Sequence, residues 1–205
     1  MRADSNKTGF TLVEALVALA IFGIILAILS NFLLQGMRFQ TFASEQQQQV
    51  EFARSSAQTM VKELREAEPG DDGSYILNRA EDQEIIFFSN IDADQATERV
   101  RYFLDGTTFK KGIIEASGEP IIYDQATETV TTLVEYIRNG TTPIFLYYNG
   151  DYPGDMTHNP LPTPTRLTET KLLNVYLRIN VNESQAPNQT EVITEVQIRN
   201  LKNNL

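Results

Sequence analysis

The chain has 205 residues, 27 acidic against 17 basic side chains, and a formal net charge of −10. This acidic balance, without a basic stripe interleaved with aromatic residues, argues against nucleic acid as a partner, because phosphate binding needs clustered lysine and arginine. The chain has no cysteine, which excludes disulfide bonds, thiolate metal sites and lipid attachment through cysteine.

The N-terminal part of the chain is an apolar segment that contains one carboxylate. No polar side chain occurs from Ala15 to Leu29, and Phe10 to Leu34 supplies 25 positions, mostly apolar. A helix needs about 20 such residues to cross a bilayer. Glu14 would then lie inside the span, where an ionised carboxylate costs about 3 kcal/mol or more unless it is paired. We therefore predict a transmembrane helix over residues 10–34 and a functional role for Glu14.

The residues around this carboxylate resemble the leader of type IV prepilins and type II secretion pseudopilins. In that superfamily a short basic leader ends in glycine and is followed by Phe-Thr-Leu-x-Glu and an apolar helix; here the order is Lys7-Thr8-Gly9-Phe10-Thr11-Leu12-Val13-Glu14. The resemblance implies that prepilin peptidase removes residues 1–9 by cleaving between Gly9 and Phe10, on the cytoplasmic side of the membrane. It further implies that Phe10 is N-methylated and that Thr11 and Glu14 serve assembly.

Simple chemistry agrees with these implied roles. Glycine at the cleaved bond lets an extended backbone enter a narrow active site without a side chain. Cleavage would create a cationic amine on Phe10. That amine is a natural partner for Glu14, in the same subunit or in a neighbouring one, and such pairing offsets the burial of both charges.

Two other interpretations of the N-terminus compete with this one. An ordinary secretory signal, cut after Thr41-Phe42-Ala43 and before Ser44, would have an apolar region of only about 7 to 15 residues without an acid. A plain membrane anchor explains the span but not the Gly-Phe-Thr-Leu-Val-Glu order. In each case the remainder of the chain is outside the cell interior, since Arg2 and Lys7 precede the span, although Arg38 after it weakens the charge asymmetry.

The helix is predicted to continue beyond the membrane as an amphipathic segment over residues 35–68. Apolar residues recur at intervals of three and four and form one face: Val50, Ala53, Ala57, Met60, Val61, Leu64 and Ala67. Polar residues such as Gln46 and Glu63 are expected to face elsewhere. Pro69-Gly70 ends the helix, and Gly36 predicts a bend or a melted turn near the membrane exit.

Residues 69–205 are predicted to form an extracytoplasmic β-rich domain. The expected strands are Glu84–Ser89, Arg99–Leu104, Thr108–Glu115, Pro120–Asp124, Pro143–Tyr148, an alternating run from Leu173 to Val181, and Val192–Arg199. Leu104–Thr107 and Asn149-Gly150 are hairpin-turn candidates. The spacing of Val130, Leu133, Val134 and Ile137 predicts a short helix that Asn139-Gly140 ends.

The expected fold class is therefore α+β: a pilin-like fold in which a long N-terminal helix packs on an antiparallel β-sheet. The order of segments resembles the J-class minor pseudopilins and the related PilW-like minor pilins. The residues that carry this second resemblance are Lys62–Ala67, Arg101-Tyr102 with Phe109-Lys110-Lys111, Pro143–Tyr148 and Val196–Asn200. A major pilin is disfavoured, because its C-terminal domain is generally smaller and is often closed by a disulfide.

Residues suited to catalysis or metal binding are few. His158 is the only histidine and lies in a proline-rich loop, so we expect no zinc site and no catalytic triad. Three acidic loops have oxygen ligands for calcium: Asp71-Asp72, Asp92-Ala93-Asp94 and Asn149–Asp155. None matches a complete calcium loop, so turn chemistry is expected at each. The loop from Tyr147 to Thr165 is either a contact surface or a solvated linker.

The sequence thus predicts a non-enzymatic minor pilin or pseudopilin subunit without cofactor or metal, in the bacterial cytoplasmic membrane and then near the tip of a filament. The resemblance implies prepilin peptidase, other pilins, an assembly platform protein and an ATPase as partners. The alternative is a membrane-anchored extracellular binding module or adhesin that does not enter a filament. An enzyme is the third option. Secretion, motility, adhesion and DNA uptake all use this architecture.

Overall fold

The structure, a computed structural model, describes residues 9, 11–92, 94, 96–164, 167–185 and 189–198. The leader residues 1–8, Phe10, Arg199 of the predicted last strand, and the following Asn200 lie outside the described residues. The chain divides into two compact units, Met1–Ser44 and Glu45–Leu205.

A single α-helix, α1, extends from Leu12 to Glu66. It is long and apolar enough to cross a membrane by length and composition, and none of its most apolar stretch is buried. The helix passes through Gly36 without a break, so the melted turn predicted there is not seen. It ends two residues earlier than predicted, because the backbone N–H of Glu68 donates to the carbonyl of Phe88 instead of to the helix.

The β-strands form two antiparallel sheets rather than the one sheet that the sequence predicted. The five-stranded sheet follows chain order with β1 Leu77–Ala80, β2 Glu84–Ser89, β3 Glu98–Asp105, β4 Thr108–Ile114 and β5 Thr129–Val134. The three-stranded sheet contains β6 Phe145–Tyr148, β7 Leu172–Ile179 and β8 Thr190–Gln197. The α+β class, with a long helix on antiparallel strands, is confirmed.

The helix predicted over 130–137 is wrong, because this segment forms β5. Its β-branched residues Thr129, Val130, Thr131 and Thr132 favour an extended backbone, and Val130 pairs with Gly112 of β4. Ile137 makes an isolated bridge to Ile179 of β7. The apolar spacing is also compatible with a helix. As a strand, however, the segment pairs its backbone with the edge of β4.

Two further predictions fail and one succeeds. The strand expected at Pro120–Asp124 is reduced to a single bridge between Ser117 and Ile122. Asn149-Gly150 does not make a hairpin, because β6 pairs with β7 only after a long loop. The Leu104–Thr107 hairpin is confirmed: Asp105 pairs with Thr108, and Gly106 takes a φ of 61° that glycine adopts without steric cost.

The apolar face predicted for the second half of the helix is buried. Val50, Ala53, Ala57, Met60, Leu64 and Ala67 lie in a core shared with both sheets, and Val61 is partly buried against it. Two polar residues of the helix that were expected to face elsewhere are also buried, Gln46 at 5% and Glu63 at 8% exposure.

Each of these polar side chains attaches the helix to a different sheet. Gln46 Nε2 donates to the carbonyl of Ile179 at 3.0 Å, and Gln46 Oε1 accepts from the N–H of Val181 at 2.9 Å. Glu63 accepts from the Tyr102 hydroxyl at 2.8 Å and forms an ion pair with Lys111 at 2.5 Å. The hydrogen bonds therefore fix how far along each sheet the helix lies.

Candidate functional site

The N-terminal end of α1 carries a reciprocal pair of hydrogen-bonded side chains. Glu14 Oε2 accepts hydrogen bonds from the backbone N–H and from the hydroxyl of Thr11, each at 2.9 Å. In return the N–H of Glu14 donates to Thr11 Oγ1 at 3.3 Å. Thr11 immediately precedes the first helical residue, Leu12. This arrangement is a capping box, in which Thr and Glu three residues apart satisfy each other's backbone donors.

The capping box explains where the helix begins. The first N–H groups of a helix have no intrahelical acceptor and need another partner, the more so in an apolar surrounding. Thr11 and Glu14 supply that partner locally. Sequence reasoning assigned both residues to assembly but overlooked their pairing, although the Thr-x-x-Glu pattern before an apolar run is its sequence signal.

One oxygen of the Glu14 carboxylate stays open. Within the described part of the chain, Oε1 of Glu14 accepts no hydrogen bond, whereas Oε2 accepts two. The positive end of the helix dipole favours a negative charge at this position. The arrangement can therefore hold the carboxylate in place and still present one oxygen to a cation.

Gly9 lies two residues before the capping threonine and is exposed. A Cβ added at Gly9 would meet no atom of the described residues within 4 Å, so no contact among them demands glycine there. Phe10, predicted to become the methylated N-terminus, lies outside the described residues. The structure thus brings Thr11 and Glu14 into contact and places Gly9 just upstream of the helix.

The helix that follows the capping box exposes its apolar side chains. Leu16, Leu19, Ile24 and Leu26 have exposed fractions between 47% and 68%. Such a long apolar surface is unfavourable in water and fits a lipid or a helix of another subunit.

Of the two acids in the turn after α1, Asp72 makes the local turn contact that was predicted, whereas Asp71 binds the segment before β3. Asp72 Oδ1 accepts from the N–H of Ser74 at 2.8 Å, and Asp71 Oδ2 accepts from the N–H of Thr97 at 2.9 Å. The Tyr123 hydroxyl accepts from the N–H of Asp71 and donates to the carbonyl of Thr97. This turn is therefore tied to the start of β3.

His158 lies on the loop between β6 and β7 with its side chain 76% exposed. Its Nδ1 is 2.6 Å from Asp155 Oδ2, and this contact lowers the pKa of Asp155. The base of the loop is closed by Asn149 and Asn159, whose side chains bond each other at 2.8 Å. The described part of the loop is therefore held by its own side-chain contacts, and its histidine pairs with a neighbouring carboxylate.

A concave surface lies near the tip of the β3–β4 hairpin. Its charged lining residues, Arg138 and Glu183, pair with each other at 2.8 Å. These groups neutralise each other, so the concave surface does not present an isolated charge.

Comparison with protein families gives a match at the N-terminus. Residues 4–30 match the family model of the prokaryotic N-terminal methylation motif. A search of the curated proteins finds no match. The motif implies processing by prepilin peptidase and assembly with other pilins, and its family consists of structural subunits. Together with the long apolar helix, this match supports placing the chain in the type IV pilin and pseudopilin superfamily.

Proposed function

We propose that the chain is a non-enzymatic minor pilin or pseudopilin that is cut between Gly9 and Phe10 and assembles near a filament tip. The observation that carries the proposal is the Thr11–Glu14 capping box, which lies directly after Gly9 and starts an uninterrupted apolar helix within the matched motif. This arrangement combines an exposed backbone for cleavage with a fixed carboxylate for assembly.

The proposed processing step is hydrolysis of one peptide bond. Water adds to the Gly9 carbonyl, the bond to Phe10 breaks, and the products are a carboxylate on Gly9 and an amine on Phe10, which is then N-methylated. The capping box supports this step because it makes the helix begin at Leu12, so that the residues before Leu12 are not helical. A protease needs extended substrate, and Gly9 lies outside the helix.

Glu14 would act in assembly by binding the amine that cleavage creates. Oε2 is held by Thr11, so the open Oε1 would face the Phe10 amine of the same or a neighbouring subunit. Pairing removes two unpaired charges from an apolar surrounding, which strongly favours the one register that allows it. The exposed side chains of the helix would then pack against other helices in place of lipid.

The minor class is supported by the part of the chain after residue 44. Its described residues form eight strands in two sheets, and it has no cysteine. Major pilins generally have a smaller C-terminal domain, which is often closed by a disulfide. We place this part outside the cytoplasm, anchored by the single apolar helix, with the platform protein and the ATPase acting on it indirectly.

The first experiment tests cleavage with Gly9 variants expressed together with prepilin peptidase. Because a side chain at Gly9 meets no other described residue, a processing defect points to the peptidase site. We expect slower processing of Gly9→Ala and none of Gly9→Val, measured by mass spectrometry of the N-terminus. A methylated Phe10 in the wild type supports the proposal. An intact Met1 would indicate a simple anchor, Ser44 an ordinary secretory signal, and normal cleavage of Gly9→Val would refute the site.

A second experiment tests whether Glu14 and its capping partner Thr11 are needed for assembly. Glu14→Ala should be cleaved but recovered in sheared filaments at about a tenth of the wild-type amount or less, as expected for the loss of an ion pair worth at least about 1.4 kcal/mol. Thr11→Ser keeps the capping hydroxyl and serves as the matched control for Thr11→Val, which loses it. We expect normal incorporation of the first and reduced incorporation of the second. Full incorporation of Glu14→Ala would refute the assembly role.

A further inference from the structure

The segment that joins β2 to β3 gathers three carboxylates. One oxygen from each of Asp92, Asp94 and Glu98 lies within 4.8 Å of the other two. Asp92 and Asp94 are exposed, whereas Glu98, the first residue of β3, has no exposed surface. Sequence reasoning noticed the two aspartates but not the glutamate, because its contribution depends on burial at the start of a strand.

Glu98 has a buried oxygen without a partner. Its Oε2 accepts from the backbone N–H of Ile91 at 2.7 Å, and its Oε1 is buried and accepts no hydrogen bond within the described part of the chain. Buried polar atoms are nearly always paired in folded proteins, because an unpaired one loses its hydration without replacement. The open oxygen, next to two further carboxylates, therefore points to a missing positive partner.

The surrounding charge is negative. Burial raises the pKa of Glu98, and the charges of Glu115, Asp92 and Asp94 raise it further. None of the ion pairs found among the described residues joins Asp92, Asp94 or Glu98 to a lysine or arginine. A cation from solution would neutralise the group.

We propose that Asp92, Asp94 and Glu98 bind a calcium ion. Asp92 Oδ1 and Asp94 Oδ1 already accept N–H groups of the loop, from Asp94 at 3.2 Å and from Ala96 at 2.6 Å. These bonds are the turn chemistry that the sequence predicted, and each engages only one of the two oxygens of its carboxylate. Water molecules and backbone carbonyls complete the coordination shell.

The number of carboxylates favours calcium over magnesium. Calcium takes about six to eight oxygen ligands at about 2.3–2.6 Å in a flexible geometry and accepts several carboxylates. The three carboxylate oxygens lie within 4.8 Å of one another, close enough to share one such ion. Magnesium binds at about 2.0–2.1 Å in a strict octahedron and is usually held by one or two carboxylates with several waters. With two of three ligands exposed, we expect a dissociation constant on the order of 10⁻⁴ to 10⁻³ M.

The test is thermal unfolding of the full-length chain in non-ionic detergent, followed by the near-ultraviolet circular dichroism of its tyrosines. Calcium chloride is added to about 10 mM, which saturates a site of the expected affinity. We expect the Tm to rise by about 5 °C. Magnesium chloride at equal ionic strength should raise it much less. No rise with calcium, or an equal rise with magnesium, would overturn the proposal.

Variants locate the effect. Asp92→Asn changes an exposed residue and should fold normally, yet lose most of the calcium shift. Glu98→Gln removes the buried charge, so its calcium-free Tm should equal or exceed that of the wild type while the calcium shift disappears. Glu119→Gln, an exposed acid outside the group, is the matched control and should keep the full shift. A full shift in Glu98→Gln and Asp92→Asn would place any bound calcium elsewhere and contradict the assignment.

Discussion

Glu63 shows how much a single side chain contributes to the attachment of the helix. Its carboxylate contacts Tyr102 and Lys111, its carbonyl accepts from the Ser89 hydroxyl at 3.0 Å, and the ammonium of Lys111 lies 5.6 Å from the centre of the Tyr102 ring. Burial, with the charge of Glu63 beside it, raises the pKa of Tyr102 far above its ordinary value. The hydroxyl therefore stays protonated and remains a donor.

We predict that Glu63→Leu lowers the free energy of unfolding by about 3 kcal/mol, because Lys111 then keeps a charge that is nearly buried and has lost its partner. Adding Lys111→Met should restore much of the loss, since an apolar pair replaces a charged one. Glu66→Gln, on an exposed face of the same helix, should change the value by less than about 0.5 kcal/mol. Chemical denaturation of the full chain in detergent measures the free energy of unfolding of the wild type and of these three variants. A loss below about 1 kcal/mol in Glu63→Leu would contradict this account.

At the scale of elements, β5 is held to β4 by more than backbone pairing. Arg101 of β3 reaches across Gly112 of β4 to Glu128, which directly precedes β5. The Arg101 Nε lies 2.7 Å from one carboxylate oxygen of Glu128, and an Nη lies 2.8 Å from the other. A Cβ on Gly112 would collide with Glu128 Oε1. Glycine therefore creates the space in which the arginine–glutamate pair crosses the sheet.

Gly112→Ala is expected to displace Glu128 and lower the free energy of unfolding by about 2 kcal/mol. Combined with Glu128→Ala it should cost little beyond the cost of Glu128→Ala alone, because both changes remove the same contact. Gly150→Ala, where the nearest atom would be 3.9 Å away, is the control. Full additivity of the two substitutions, measured by the same denaturation, would show that Gly112 acts in some other way.

At the scale of the whole molecule, the acidic chain depends on its paired carboxylates for stability at low pH. Burial raises the pKa of Glu84, but hydrogen bonds from Arg79 and Arg101 outweigh this and hold it below the ordinary value. A lysine at 2.6 Å likewise lowers the pKa of Asp105. Because these groups bind protons less readily when folded, stability is full above about pH 5 and decreases as pH falls through their folded pKa values.

We therefore predict that the Tm decreases steadily below about pH 4 and that Arg101→Met makes this decrease shallower, since Glu84 then loses one of the two arginines that lower its pKa. Arg54→Met removes an exposed arginine that pairs with Glu51 and should leave the slope unchanged. Thermal melts at a series of pH values provide the measurement. An equal slope in Arg101→Met would mean that Glu84 does not contribute to acid unfolding.

The sequence alone determined the features that rest on local chemistry. These features depend only on residues that are close in sequence. They are the leader order from Gly9 to Glu14, the apolar run, the period of Val50 to Ala67, the Asp105-Gly106 turn and most strand positions. Tertiary structure decided the rest. Two sheets instead of one, β5 instead of a helix, the burial of Gln46 and Glu63, and the partnerless oxygen of Glu98 depend on contacts between residues far apart in the chain. Local patterns cannot specify those contacts, because the same apolar spacing or polar side chain is compatible with several partners until the fold selects one.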